Sequence, residues 1–327
     1  MKSVLIYNSQ ASGDCLLGTH TARLYKQRFP DSKIYYCVRS GLTPTTAEGE
    51  DETASILEVL QHQEAIDKLG FVIHTSKGPM ISLLDHSEMP QFDEVIEQHG
   101  WFSDLGIVRS QSYQLFNRHG REHFENTDTS FSVGQKKELP TDHLVIAFPG
   151  PLDWNRKTKN EALRLSFLTR LKYYLEQNNI RARITLLGRD VETGSLLESL
   201  QKLNNSHLFI GPIGLPLHAA AGLGVDTIAV SSVYPNSYDT PAEYHSGWHR
   251  AIKSHIHCGD YRCVTEKLYD KEITNTFEGP PTKWGFWPKK CPHTSNGFSC
   301  IYNTSPEQLV ATVADWYLEK GQYLWTR

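Results

Sequence analysis

Residues 209–230, FIGPIGLPLHAAAGLGVDTIAV, decide the fold class. An apolar strand ends at Gly211-Pro212, a loop holds Gly214, and a helix of small residues follows before a second apolar strand begins. A strand, a helix and a strand in so short a segment are typical of a parallel α/β sheet.

The helix start in this segment is a candidate anion site. Backbone N–H groups at the first turn of a helix carry a partial positive charge and suit a diphosphate. The alternative is an ordinary turn between strand and helix that binds no ligand. The residues that we predict to contact the anion are Gly211, Gly214, Leu215, Pro216, Leu217 and His218.

The same alternation extends through the chain in both directions. In the first half it predicts strands at 3–7, 33–37 and 70–75, and helices at 16–27, 52–69 and 92–99. After a polar, turn-rich stretch at 126–143, it predicts strands at 143–148, 182–187, 207–210 and 227–231, with helices at 160–177 and 217–223. Ser305-Pro306 then begins a last helix, with Ser as N-cap and Pro at the first helical position. Two Rossmann-like parallel-sheet domains are the simplest account: residues 1–138, residues 139–304, and a helix at 305–327 that ties them together.

Composition narrows the classes of function. The chain has 327 residues, 39% of them hydrophobic, and a net charge of −4, so it generates no positive field that would attract nucleic acid. No apolar run approaches the roughly 18 residues that a membrane span needs. The first residues lead straight into a strand pattern instead of a secretion signal, so we expect a cytoplasmic protein with reduced cysteines.

Asp14 stands in an unusual place, directly after Gly13, where the first strand gives way to the first helix. A carboxylate at such a junction can act as an N-cap for the helix that begins at Cys15. It can also serve as a reacting group at the carboxyl end of the sheet, and one residue can do both.

Three segments, in order, carry a resemblance that covers nearly the whole chain. They are Gly13-Asp14-Cys15-Leu16-Leu17 with a helix that ends in Arg28-Phe29-Pro30, the segment IAFPGPLDWNRKTKN at 146–160, and residues 215–224 with His218. Together they resemble glycosyltransferase family 9, the ADP-heptose:lipopolysaccharide heptosyltransferase-like enzymes of the GT-B fold.

The resemblance implies an inverting, metal-independent sugar transfer in a cleft between two domains, without a catalytic cofactor. The N-terminal domain would hold a glycan, protein or other hydroxyl acceptor, and the C-terminal domain an ADP-sugar-like donor. Asp14 would be the general base, and Gly13 beside it a substrate-binding residue. Arg156 or Lys157 would assist the helix start in stabilising the leaving nucleoside diphosphate. His218 would be a structural or phosphate-edge residue, and Glu243 a ribose contact.

One departure from the family lies just before the third segment. Many members carry an Asp and a Ser or Thr there that contact the nucleotide sugar, where this chain has Ile213 and Gly214. The difference moves the chain towards the divergent branch that includes autotransporter heptosyltransferases. It also keeps open the alternative of a non-catalytic GT-B protein that binds nucleotide or glycan. A sugar transferase that acts on modified DNA is a separate alternative, which salt-dependent binding to polynucleotide would distinguish.

Four of the six cysteines fall in one loop, residues 255–300: Cys258, Cys263, Cys291 and Cys300. Two pairs that bracket a loop in a reducing compartment favour a four-thiolate site for structural iron or zinc. Some relatives in the divergent branch carry cysteine-bound iron in this region, so the resemblance implies the same. Unligated cysteines and oxidation-dependent pairing are the alternatives.

Overall fold

The computed structural model describes residues 1–8, 12–39, 52–75, 78–98, 111–119, 129–134, 138–151, 154, 161–188, 195–212, 214–230, 247–252 and 305–320.

The first half of the chain forms a five-stranded sheet with the order β4-β3-β2-β1-β5. Its neighbouring strands run parallel, apart from the antiparallel pair β3–β4. β1 and β2 are almost entirely buried, as expected for strands covered on both faces. The elements are β1 (Ser3–Asn8), α1 (Ser12–Arg28), β2 (Lys33–Arg39), α2 (Glu52–Leu60), β3 (Lys68–Thr75), β4 (Gly78–Leu83), β5 (Glu94–Gln98) and α3 (Tyr113–His119).

The helix predicted at 92–99 is wrong, because this segment contains β5, which pairs in parallel with β1. The apolar residues Phe92, Val95 and Ile96 have helical spacing, but the strand turns Glu94, Ile96 and Gln98 inward. Two of these three inward residues are polar, and they find hydrogen-bond partners elsewhere in the fold. A hydrophobic pattern cannot reveal a strand of this kind.

The second half forms another five-stranded sheet, with the order β10-β9-β8-β6-β7 and all neighbours parallel. The predicted α/β class, with two parallel-sheet halves, is therefore confirmed. The elements are β6 (Leu144–Pro149), α4 (Glu161–Gln177), β7 (Ala182–Leu187), α5 (Leu196–Asn204), β8 (Leu208–Pro212), α6 (Leu215–Leu223), β9 (Asp226–Val230), β10 (His249–Ile252) and α7 (Pro306–Glu319).

α7 begins as its sequence predicts. The Ser305 hydroxyl accepts hydrogen bonds from the backbone N–H groups of Glu307 and Gln308, at 3.1 and 3.4 Å. The helix packs against α4 and β10, and its buried Trp316 donates a 2.7 Å hydrogen bond to Asp226. These contacts belong to the second half, so a role for this helix in tying the two halves together stays a prediction.

The two halves meet through their helices. α1 packs on α6 and α2 packs on α5, and a single cluster of buried apolar side chains extends across both pairs. Residues 129–134, which we call the linker segment, lie against the same helices, and the Phe131 N–H donates to the Gly222 carbonyl at 3.2 Å. Among the described helices, none has the length and apolar character to cross a membrane.

Candidate functional site

The order in which strands are added to the first sheet reverses between β1 and β5, which themselves run parallel. β2 and β3 are added on one side of β1, whereas β5 lies on its other side. In doubly wound sheets, ligands bind at the carboxyl ends of the strands that flank such a point. Here those ends carry Asn8 and Gln98, whose side chains are joined by a 3.0 Å hydrogen bond. α1 begins directly above them, with Gly13 and Asp14 in its first turn.

The second sheet has its own switch point, between β6 and β8. Pro149 and Pro212 are the last residues of these two strands, and α6 follows β8 almost at once. Both halves therefore place a helix start at the position where this class of sheet binds ligands.

Gly13 brings the two helix starts together. A Cβ atom built on Gly13 would lie 3.1 Å from His218 Cδ2 and 3.3 Å from the Cα of Leu215. Asp14 therefore lies one residue away from a direct contact between the first turns of α1 and α6. Asp14, Gly214, Leu215 and Pro216 are partly exposed, whereas Gly13 and His218 are buried.

The first turn of α6 has fewer free backbone N–H groups than the four that a helix start usually offers. The N–H groups of Leu217 and His218 both donate to the Gly214 carbonyl, at 3.0 and 3.1 Å. Pro216 has no N–H. Gly214 has an extended backbone and makes no side-chain cap. Among the first-turn residues that the structure describes, the N–H group that has no acceptor within the helix is therefore that of Leu215.

Gly211 is required by packing. A Cβ atom at this position would lie 2.6 Å from the ring of Phe209 and 3.2 Å from Pro149 Cδ, and the residue is buried. The glycine lets β8 and the end of β6 approach each other beneath α6. Its predicted contact with a ligand stays a prediction, as do those of the other residues at this helix start.

A buried polar network holds the first turn of α1 from beneath. Asn8 Nδ2 and Gln111 Nε2 both donate to the backbone carbonyl of Asp14, at 3.2 and 2.7 Å. The Tyr36 hydroxyl donates to the carbonyl of Cys15 at 2.8 Å, and Gln98 Nε2 to that of Gly18 at 2.8 Å. This network is not visible in the sequence, because its members are scattered along the chain and each looks like an ordinary polar residue.

Burial favours the protonated forms of two neighbouring groups, the Tyr36 hydroxyl and the Cys15 thiol. It raises the pKa of the Tyr36 hydroxyl well above the ordinary value, and the Cys15 thiol adds to this rise. The pKa of the Cys15 thiol is also raised, first by burial and then by the Asp14 carboxylate. Tyr36 therefore remains a hydrogen-bond donor and Cys15 an unreactive thiol at neutral pH.

Several predicted site residues lie outside the described residues: Arg156, Lys157, Glu243, Cys258, Cys263, Cys291 and Cys300. Ile213 does as well. The described residues include no group of three or more His, Cys, Asp or Glu side chains that could hold a metal ion. The predicted iron or zinc site therefore rests on the cysteine spacing and on the family resemblance.

Comparison of the sequence with family models and with curated proteins finds no match. Solved structures do match the fold. ADP-heptose lipopolysaccharide heptosyltransferase II from E. coli has 9% identity and a TM-score of 0.50, over 98% of this chain and 100% of that chain. The iron-containing dodecameric glycosyltransferase TibC from enterotoxigenic E. coli H10407 has 12% identity and a TM-score of 0.55, over 98% of this chain and 78% of that chain.

A second TibC structure, in complex with ADP-D-β-D-heptose, has 12% identity and a TM-score of 0.59, over 97% of this chain and 77% of that chain. The chain has the GT-B fold of these heptosyltransferases. At the level of the fold, the predicted resemblance is confirmed. In this GT-B chain, α1 follows β1 of one switch point, α6 follows β8 of the other, and the two helices meet at Gly13.

Proposed function

We propose that this chain is an inverting glycosyltransferase that moves a sugar from a nucleoside diphosphate to an acceptor hydroxyl. The observation that carries the proposal is the contact of Gly13 with the start of α6. It puts a carboxylate-bearing residue of one half, Asp14, beside the partly exposed helix start of the other half.

In the proposed reaction, the Asp14 carboxylate accepts the proton of the acceptor hydroxyl. The hydroxyl oxygen attacks the anomeric carbon of the donor from the face opposite the diphosphate and forms the new glycosidic bond. The bond between the anomeric carbon and the diphosphate oxygen breaks, and its electron pair leaves with the nucleoside diphosphate. The N–H of Leu215 and the positive end of α6 favour that negative charge.

The donor that we propose is an ADP-sugar, since TibC binds ADP-D-β-D-heptose and has the same fold. We further propose that Arg156 and Lys157 contact the diphosphate and Glu243 the ribose, and that a glycan or protein supplies the hydroxyl in the cytoplasm. No step of this proposal passes through a metal ion. An iron or zinc ion at the four cysteines would be structural, and elemental analysis of the purified protein tests for it.

The variant Asp14→Asn tests the proposed base. We expect transfer from ADP-D-β-D-heptose to fall about 10²–10⁴-fold, because the amide cannot accept the proton. The affinity for ADP, measured by calorimetry, should stay within about twofold, since the diphosphate contacts α6 and not the carboxylate.

Asp93→Asn is the matched control. The Asp93 carboxylate accepts a 2.7 Å hydrogen bond from the Ser3 N–H at the amino ends of β1 and β5, whereas Asp14 lies beyond the carboxyl end of β1. The control should retain transfer. Unchanged turnover in Asp14→Asn would remove the general-base role, whereas ADP binding without any turnover in the wild type would favour a non-catalytic nucleotide-binding protein.

A further inference from the structure

Two side-chain amides converge on a single backbone carbonyl, that of Asp14. Asn8 reaches it from the end of β1, and Gln111 reaches it from the residues just before α3. The helical ladder supplies a donor to this carbonyl from four residues ahead. A need for hydrogen-bond satisfaction therefore does not explain two further donors. Two hydrogen bonds from two different parts of the chain restrict the Asp14 peptide in two directions. A single hydrogen bond would restrict only its distance from one donor.

Gln111 lowers the stability of the folded protein, so stability does not explain its presence. Its side chain is fully buried, and within the described part of the chain its Oε1 atom has no hydrogen-bond donor. A buried acceptor without a donor destabilises the folded protein, and an apolar side chain of the same shape would avoid this cost. The amide cannot be reversed without pointing its oxygen at the Asp14 carbonyl, so its Nε2–H group makes the contact.

The segment that carries Gln111 is itself fastened to α1. The next residue, Ser112, is buried, and its hydroxyl lies 2.7 Å from His20 Nε2 and 3.3 Å from the Thr21 hydroxyl. The backbone that carries Gln111 is therefore held in a fixed position relative to Asp14. Gly18 completes the arrangement, because a Cβ there would come within 2.5 Å of the Tyr36 hydroxyl and 2.9 Å of Asn8 Nδ2.

We propose that Gln111 is a positioning residue, which holds the Asp14 peptide so that the carboxylate keeps its place relative to the start of α6. Asn8 and Tyr36 are its partners in this role. The inference rests on the proposed function, since it assigns Gln111 a task only if Asp14 reacts. Gln111 itself touches no reacting atom.

The variant Gln111→Met tests the proposal, because it preserves the volume of the side chain and removes the N–H donor. We expect kcat with ADP-D-β-D-heptose to fall about tenfold, since displacements of about 1 Å in a positioned group cost up to 10²-fold. KM for this donor and the Kd for ADP should stay within about twofold, because the donor contacts do not involve Gln111. Hydrogen exchange at the Gly18 amide, which in a helix bonds to the Asp14 carbonyl, should become faster.

Gln63→Leu is the matched control. Gln63 also donates a side-chain amide hydrogen bond to a backbone carbonyl, that of Ser132 at 2.8 Å, but it lies three residues beyond the end of α2. This variant should leave kcat and the Gly18 exchange rate unchanged. A second test variant, Tyr36→Phe, removes the donor to the Cys15 carbonyl and should lower kcat in the same way, so the proposal does not depend on the folding of one variant.

Wild-type values of kcat and Gly18 exchange in Gln111→Met would overturn the inference, and so would an equal loss of kcat in Gln63→Leu. If the wild type transfers no sugar from any ADP-, UDP- or GDP-sugar tested, the proposed function fails instead. The anchoring of the Asp14 peptide by Gln111 is then judged by the exchange rate alone, and an unchanged rate contradicts it.

Discussion

Gly13 lies where α1 of the first half contacts the start of α6 of the second half, one residue before the proposed base. A methyl group at this position would lie 3.1 Å from His218 Cδ2 and 3.3 Å from the Leu215 Cα, so the start of α6 would have to move by a few tenths of an ångström. Alanine is otherwise the better helix former, by about 1 kcal/mol. Gly13→Ala should therefore reduce activity more than it reduces stability.

For Gly13→Ala we expect kcat/KM for the sugar donor to fall about tenfold, because the distance between the proposed base and the proposed diphosphate site changes. The melting temperature should change by no more than a few degrees, since the strain and the helix preference have opposite signs. Steady-state kinetics and calorimetry measure the two effects. A large loss of stability with unchanged kcat/KM would mean that the contact serves packing alone.

At this scale, the sequence predicts part of the candidate site. Asp14 and Leu215 can be identified because each follows a strand and a glycine, an order that is visible in a few consecutive residues. Gln111 could not be identified in this way. It meets the Asp14 carbonyl from 97 positions along the chain, and glutamine is a residue type that usually lies on the surface.

Strand β5 shows where sequence reasoning fails at the level of an element. The strands β1, β7 and β9 are apolar or β-branched and were predicted to within a residue or two. β5 instead turns Glu94 and Gln98 into the interior, where long-range partners satisfy them. Strand prediction relies on inward-facing apolar side chains, so a strand whose burial depends on such partners is not recognised.

Glu94 of β5 connects three other parts of the first half: the start of β1, α1 and the end of α3. Its carboxylate accepts hydrogen bonds from Lys2 at 2.8 Å and Tyr25 at 2.7 Å, and lies 2.9 Å from His119 Nε2. Burial by itself raises the pKa of Glu94. The hydrogen bonds from Lys2, Tyr25 and His119 outweigh this effect and bring the pKa down to about 2, from an ordinary 4.5.

A pKa that is lower in the folded state stabilises the protein while the carboxylate is ionised. The contribution of Glu94 is therefore complete above pH 4.5 and is lost as the pH falls towards 2. Glu94→Gln should lower the free energy of unfolding at pH 7 by about 1–3 kcal/mol. Urea unfolding between pH 7 and pH 2.5 measures it, and the gap between wild type and variant should narrow below pH 4.5. A gap that is constant with pH would contradict this assignment.

The whole molecule has two parallel-sheet halves, and one of the three apolar clusters among its described residues crosses the boundary between them. One apolar cluster includes Leu16 and Tyr25 of the first half together with Leu203 and Leu217 of the second. The linker segment adds polar contacts on the same side, from Arg23 to Ser130 and from Gln201 to Val133. An interface of this kind couples the stability of the halves.

We therefore expect the protein to unfold in a single cooperative transition, with matching calorimetric and van't Hoff enthalpies. Gly222→Ala probes this coupling, because a Cβ there would lie 2.5 Å from both the Thr129 carbonyl oxygen and the ring of Phe131. The added methyl must displace α6 from the linker segment, at a cost of about 1–3 kcal/mol. If the halves are coupled, the variant should lower the single melting temperature for the whole chain. Two separate transitions, of which Gly222→Ala shifts only one, would mean that the halves unfold independently despite their shared core.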